Sequence, residues 1–248
     1  MTFDLSELSI ILIAMVVGGF VKGATGLGLP PIAIPVMASF LGVEHAVVIM
    51  AIPGVITNAS LLWTYRSHLH RTRDLPAMLA TGVFGSVAGT TLLTTLDDRI
   101  LSLVLASVIG LYVVISLAHA SFSLPPTLTR YTSPPVGLAA GLLQGSTGVS
   151  GPILSTYLHA FRLNKEAYVL SVTTVFLVFS VVQTVALAIL GLYTESRLGE
   201  SLLALVPIMV MLKVGTHLTQ GLSRRAFDLM ILAVLIGSGV RLVYGALT

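Results

Sequence analysis

The stretch KGATGLGLP, residues Lys22 to Pro30, returns as QGSTGVSGP, residues Gln144 to Pro152. Four of the nine positions are identical, and all four are glycine, threonine or proline. Each copy directly follows an apolar segment. Each therefore sets a run of backbone breakers where a helix would otherwise continue.

Outward from these copies, the chain reads as apolar spans near 44–65, 75–96, 99–119, 167–193, 198–218 and 226–247. Spans of this length cross the roughly 30 Å hydrocarbon layer as helices. Two further regions, 5–41 and 134–161, are apolar but cut near the middle by the quoted motif into pieces of about 11–17 residues, short for a crossing. Between the halves lies SFSLPPTLTRYTSPP (Ser121 to Pro135), whose four prolines predict a non-helical linker.

A shift of 122 positions carries Lys22 onto Gln144, Gly23 onto Gly145, Thr25 onto Thr147, Gly26 onto Gly148, Gly28 onto Ser150 and Pro30 onto Pro152. It also carries Glu44 onto Glu166 without a gap, and the apolar spans superpose. The pattern is an internal duplication. It predicts an N-terminal repeat over 1–120, a linker over 121–133 and a C-terminal repeat over 134–248.

Equivalent loops differ in charge. RSHLHRTRD (Arg66 to Asp74) is basic, whereas its counterpart LYTESRLGE (Leu192 to Glu200) is acidic. GVEH (Gly42 to His45) stands opposite RLNKE (Arg162 to Glu166). Cytoplasmic gaps carry the excess of Lys and Arg, so the two halves are expected to be inverted in the membrane. Inversion needs an odd number of crossings per half. Each half is therefore predicted to hold three membrane helices and one re-entrant hairpin of two short helices. The expected fold is an all-α membrane protein of two inverted repeats, with the two motif tips meeting near the midplane. Broken helices at matching places in inverted repeats point to a transporter's binding site.

Composition agrees. Of 248 residues, 55% are hydrophobic and 9% charged, with mean hydropathy +0.99. A soluble domain carries roughly 25% charged residues. The pI near 9.4 follows from basic loops on one membrane side and implies no nucleic-acid partner; the partner it implies is the lipid bilayer. The absence of cysteine excludes disulfides and thiolate metal sites. The opening residues MTFDLSELS are acidic where a signal peptide is basic, so the first apolar run is expected to be retained.

The tips suggest their chemistry. Glycines permit unusual backbone angles and close approach. Amides at a half-helix N-terminus, pointing into a cavity, make an anion site. Thr25, Ser146, Thr147 and Ser150 add hydroxyls, and Lys22 a cation, while every Asp and Glu falls at a span end or in a loop. The expected substrate site comprises Lys22, Gly23, Thr25, Gly26, Gly28, Gln144, Gly145, Ser146, Thr147, Gly148 and Ser150. Its ligand is a small anion, with no cofactor and no metal. In the competing reading the glycines pack helices and Lys22 snorkels to the interface. Asn58 and Gln183, polar inside spans, read as helix–helix hydrogen bonds or as site wall.

With GGFVKGATGLGLPPIAIPV (Gly18 to Val36), AAGLLQGSTGVSGPIL (Ala139 to Leu154) and the acidic Glu44 and Glu166, the chain resembles the TauE/SafE family of sulfite and sulfonate exporters. The resemblance spans essentially the whole chain. It implies a bacterial inner-membrane permease for sulfur-containing anions such as sulfite or an organosulfonate. Leu29 stands where a longer glycine run is common, which narrows backbone approach at that tip. The resemblance leaves open the anion, the direction of flux, the coupling ion and whether two copies form a homodimer.

Two rival readings remain at this level. A passive anion channel fits the same composition. Gly148-Val149-Ser150-Gly151 also matches the pattern around the serine of intramembrane proteases, but such a serine needs a histidine base, and the last span, Phe227 to Leu247, holds none.

The charge pattern places Arg66–Asp74, Arg162–Glu166 and Ser223–Arg225 in the cytoplasm, and Leu192–Glu200 and both termini outside. A single cysteine at His70 should resist a membrane-impermeant thiol reagent in intact cells and react after permeabilisation. Labelling in intact cells would reverse this orientation.

Overall fold

The computed structural model describes residues 4–25, 28–66, 75–118, 125–218 and 224–248. Residues 1–3, 26–27, 67–74, 119–124 and 219–223 lie outside the described residues, Gly26 among them. So does the side chain of Thr25, the last residue of the first helix.

The described residues form eleven helices. In order they are α1 (Leu5–Thr25), α2 (Leu29–Leu41), α3 (Val43–Tyr65), α4 (Leu75–Thr95), α5 (Asp98–Ala118), α6 (Pro126–Thr147), α7 (Gly151–His159), α8 (Lys165–Ile189), α9 (Glu195–Leu203), α10 (Leu205–Leu218) and α11 (Arg224–Leu247). Six spans among them are long and apolar enough to cross a membrane: those of α1, α3, α4, α5, α8 and the α9–α10 pair. Two differ from expectation: α1, expected as a piece too short to cross, is long enough, and the span expected over 226–247 is apolar only over the shorter Ile231–Leu247.

Both motifs break a helix, as the sequence predicts. At the first, Gly28 caps α2 with φ 104°, and at the second, Gly148 ends α6 with φ 69° and donates its N–H to the Gln144 carbonyl at 2.8 Å. A left-handed residue closing a helix is costly for side chains with a Cβ, and glycine removes the cost. The chain then turns back. Gly18 of α1 lies against Leu29 and Ala33 of α2. The Tyr157 hydroxyl of α7 meets Thr132 at 2.7 Å and Ser133 at 3.0 Å near the start of α6. Each broken segment is thus an antiparallel hairpin whose tip is the motif.

The pieces are less equal than expected. The leading helices α1 and α6 have 21 and 22 residues, the returning α2 and α7 only 13 and 9. The excess in α6 corrects the reading of the linker, because residues 126–133 are helical. Pro125 is the N-cap and Pro126 opens the helix, where no amide hydrogen is needed. Pro134 and Pro135 do sit inside and remove two ladder bonds. Packing holds the helix there: Thr81 of α4 donates to the Pro134 carbonyl at 2.8 Å, and Tyr157 donates to the Thr129 carbonyl at 3.2 Å.

A second correction concerns the span expected over 198–218. It begins at Glu195 and is interrupted at Ala204. Pro207 lacks the hydrogen that would reach the Leu203 carbonyl, so the ladder fails there. Glu195 to Glu200 are accordingly helical, not loop.

The most extensive packing joins α4 to α6 and α1 to α10. On α4 and α6 the contact is glycine against glycine. A methyl at Gly141 would overlap the Gly82 carbonyl, and one at Gly85 would overlap the Leu138 carbonyl. Small residues let membrane helices approach backbone to backbone.

Overpacking such a contact costs about 1–3 kcal/mol. Gly141→Ala should therefore lower the thermal unfolding midpoint in detergent, whereas Gly110→Ala, where nothing lies within 4 Å, should leave it unchanged. Equal behaviour of the two variants would contradict the glycine contact.

Candidate functional site

Lys22 occupies the last turn of α1, one residue before a packing glycine. Its side chain is 4% exposed. The ammonium donates to Thr57 Oγ1 at 3.0 Å and Asn58 Oδ1 at 2.9 Å, both on α3. It does not snorkel. A buried ammonium carries three donors and needs partners for them. Asn58 is therefore both a helix–helix hydrogen bond and, as shown below, part of a wall.

At the other tip the equivalent residue, Gln144, is held from α8. Gln144 Nε2 donates to Gln183 Oε1 at 3.1 Å, and Gln183 Nε2 donates to the Gln144 and Gly145 carbonyls at 2.6 and 3.2 Å. Gln144 Oε1 accepts the Ser150 hydroxyl at 2.7 Å. In each half, the polar residue ahead of the tip is anchored by a polar residue inside the next long helix.

The two tips line one cavity of about 300 Å³. Lys22, Gly28 and Pro30 come from the first motif, and Gln144, Gly148, Ser150 and Gly151 from the second. Asn58, Tyr112, Ser155, Tyr168 and Phe176 complete most of the wall. Lys22 is the one charged residue among the lining residues, and none of them is acidic. The starts of α2 and α7 both face this space. At α2 the first three positions are Leu29, Pro30 and Pro31, and the two prolines have no N–H to offer. At α7 only Pro152 among Gly151, Pro152 and Ile153 lacks one.

The remaining sequence candidates have other roles. A methyl at Gly23 would run into the Leu212 carbonyl of α10, and one at Gly145 into Ser86 of α4, so these glycines bring helices together. Ser146 and Thr147 donate to the carbonyls of Leu142 and Leu143, four residues back, and Thr147 Oγ1 accepts the Val149 amide at 3.3 Å. Those hydroxyls shape the tip and do not line the cavity. Thr57, Tyr112 and Tyr168 went unnoticed in the sequence. Thr57 holds Lys22 from behind the lining, and only helical register brings Tyr112 and Tyr168 to the wall.

Ser150 bonds an amide oxygen, not an imidazole. Among the described residues no histidine is seated beside it, which removes the support for a serine nucleophile.

Fold and site together define a multi-pass helical membrane protein with a polar, cation-bearing cavity between two broken helices. The chain belongs to the family described as Sulfite exporter TauE/SafE, whose profile matches residues 10–242. It is therefore a membrane transport protein of that family. Comparison with curated proteins and with solved structures returned no significant match.

Gln183→Leu would leave the buried Gln144 side chain and two carbonyls short of partners, at about 1–3 kcal/mol. Its thermal midpoint in detergent should fall by several degrees. An unchanged midpoint would mean that α8 does not hold the tip.

Proposed function

We propose that the chain is a secondary transporter that carries a small sulfur-containing anion, sulfite or an organosulfonate, across the bacterial inner membrane. The anion binds in the cavity between the two tips. The observation that carries this reading is the lining: both copies of the motif contribute, with one ammonium and no carboxylate. Burying an anion requires a compensating charge and donors, and Lys22, the Asn58 side-chain NH2 and the backbone N–H of Gly151 supply them. Thr25 and Gly26 belong to the proposed tip by their place in the repeat.

In this reading each half is a re-entrant hairpin plus three membrane helices, and the halves are inverted repeats. The packing supports it. Under the 122-residue shift α1 corresponds to α6, and α4 to α9–α10; α1 packs on α10 as α6 packs on α4. The two hairpins thus dock onto opposite halves, which fits a two-fold relation between the repeats. Irregular backbone at membrane depth is tolerated where it lines a cavity.

On one side of the tips the described void is only about 10 Å³, and a constriction of this kind fits a carrier. Counterflow exchange in proteoliposomes separates a carrier from an open pore, since the first shows it and the second does not.

Lys22→Gln copies the residue at Gln144 and keeps a donor for Asn58. A hydrogen bond to a charged group is worth roughly 1.5–3 kcal/mol. Sulfite or sulfoacetate binding by the purified variant should weaken about ten- to a hundred-fold, with reduced salt dependence. Unaltered affinity for both anions would remove Lys22 from the site.

A further inference from the structure

The two sides of the tips are unequal. Asn58, Tyr112, Tyr168 and Ile231 place the cavity on the side toward Arg162. On the side toward Glu44, among the described residues, a void bounded by Ile34, Val47, Met50 and Gln183 among others measures only about 10 Å³. That is at most room for a single water. The described residues pack tightly there.

What holds this side together is a set of bonds from α3 to α9, joining the first half of the chain to the second. Glu44 pairs with Arg197 at 2.9 Å, and His45 Nε2 lies 2.9 Å from Glu200 Oε2. Ser201 Oγ donates to the Ile49 carbonyl at 2.8 Å. Pro53 frees that carbonyl by lacking the N–H four residues on.

Glu200 is 2% exposed, in a span otherwise read as apolar. Its other oxygen accepts from Ser196 at 3.1 Å. Glu7 of α1 completes the cluster, with one ligand-type atom each of Glu7, His45 and Glu200 all within 4.8 Å of one another. The charged groups around the pair are thus Glu7 from α1, Glu44 from α3 and Arg197 from α9. Asp98, at the start of α5, binds the Val43 amide at 2.7 Å. With His45 neutral, the three glutamates outnumber the single arginine. One proton on the imidazole relieves that excess. It also turns the His45–Glu200 contact into a charge-assisted bond, about twice as strong as a neutral one.

We propose that His45 and Glu200 are a proton-binding site, and that the bound proton fastens the α3–α9 latch in the state whose cavity opens toward Arg162. The proton comes from water on the Glu44 side and sits on His45 Nε2, shared with Glu200 Oε2. No covalent bond is made or broken. Loss of the proton leaves three glutamates against the one arginine and loosens α9, which is already separated from α10 at Ala204. This extends the transport reading by naming a coupling ion, and rests on it only for the meaning of the cavity.

The chain has no cysteine, so Ser201→Cys, fully buried beside the latch, is a single reporter. Its alkylation rate in detergent-purified protein, divided by that of the same cysteine in the unfolded chain, removes the thiol's own pH dependence. The ratio should rise about ten-fold as the pH is raised and the proposed proton is lost. With His45→Gln, which keeps a donor but does not titrate, the ratio should be flat. With Glu200→Gln it should be flat and high. Ala46→Cys, also fully buried, serves as a second reporter if the first disturbs packing. A pH profile unchanged by His45→Gln, or flat in the parent, would overturn the proposal. Sulfite binding is measured on the same samples without reference to the reporter. Its absence alongside an intact pH response would fail the transport reading and leave the proton site standing.

Discussion

An ammonium buried at the end of a helix, inside an apolar bundle, must be solvated by the protein itself. Lys22 meets that constraint with Thr57 and Asn58, and much of the surrounding design follows. Those partners can reach it only if α3 runs past the tip of α1. In the proposed re-entrant arrangement, α1 would stop at membrane depth. A helix that stops there exposes backbone groups which lipid cannot satisfy. The tip therefore has to be enclosed, and the second hairpin encloses it. Gly148 brings that tip so close to the first that a Cβ there would overlap Ile34.

The second half solves the same problem without a charge. Gln144 is neutral, and Gln183 holds it through two hydrogen bonds and the Gly145 carbonyl through a third. The asymmetry is functional in consequence. Two lysines facing each other across about 300 Å³ would repel in the empty state, whereas one lysine opposite an amide leaves a single positive site. The cavity wall then grades from polar at the tips to aromatic and aliphatic at Phe176, Ile231 and Leu235. Under the proposed function, such a wall would take a charged head near Lys22 and an apolar remainder beyond it.

Much of this was legible in the sequence, for physical reasons that can be named. Hydropathy located the long helices to within a few residues, because hydrocarbon thickness fixes their length. The repeated motif located both helix breaks, because glycine at positive φ has few substitutes. Other features were out of reach. Pro134 and Pro135 read as a break, yet contacts with α4 and α7 keep α6 helical, and local propensity carries no record of such neighbours. Thr147 and Ser146 looked like ligand donors, but inside a helix a hydroxyl finds the carbonyl four residues back before any ligand. Glu200 looked like a loop residue because the partner that allows its burial, His45, is 155 positions away. Gly23 and Gly145 were read as ligand contacts because a packing glycine and a site glycine are the same letter. Only the helix opposite tells them apart.

The central claim is that one anion sits between the two tips, within reach of Lys22. A single cysteine at Ser155, on the cavity wall and in a chain otherwise free of thiols, reports on it directly. Its alkylation rate in purified protein, measured against sulfoacetate concentration, should fall to a low plateau, with half-protection at the same concentration that half-saturates transport. Alkylation that stays constant while sulfoacetate is transported would place the anion somewhere other than between the tips.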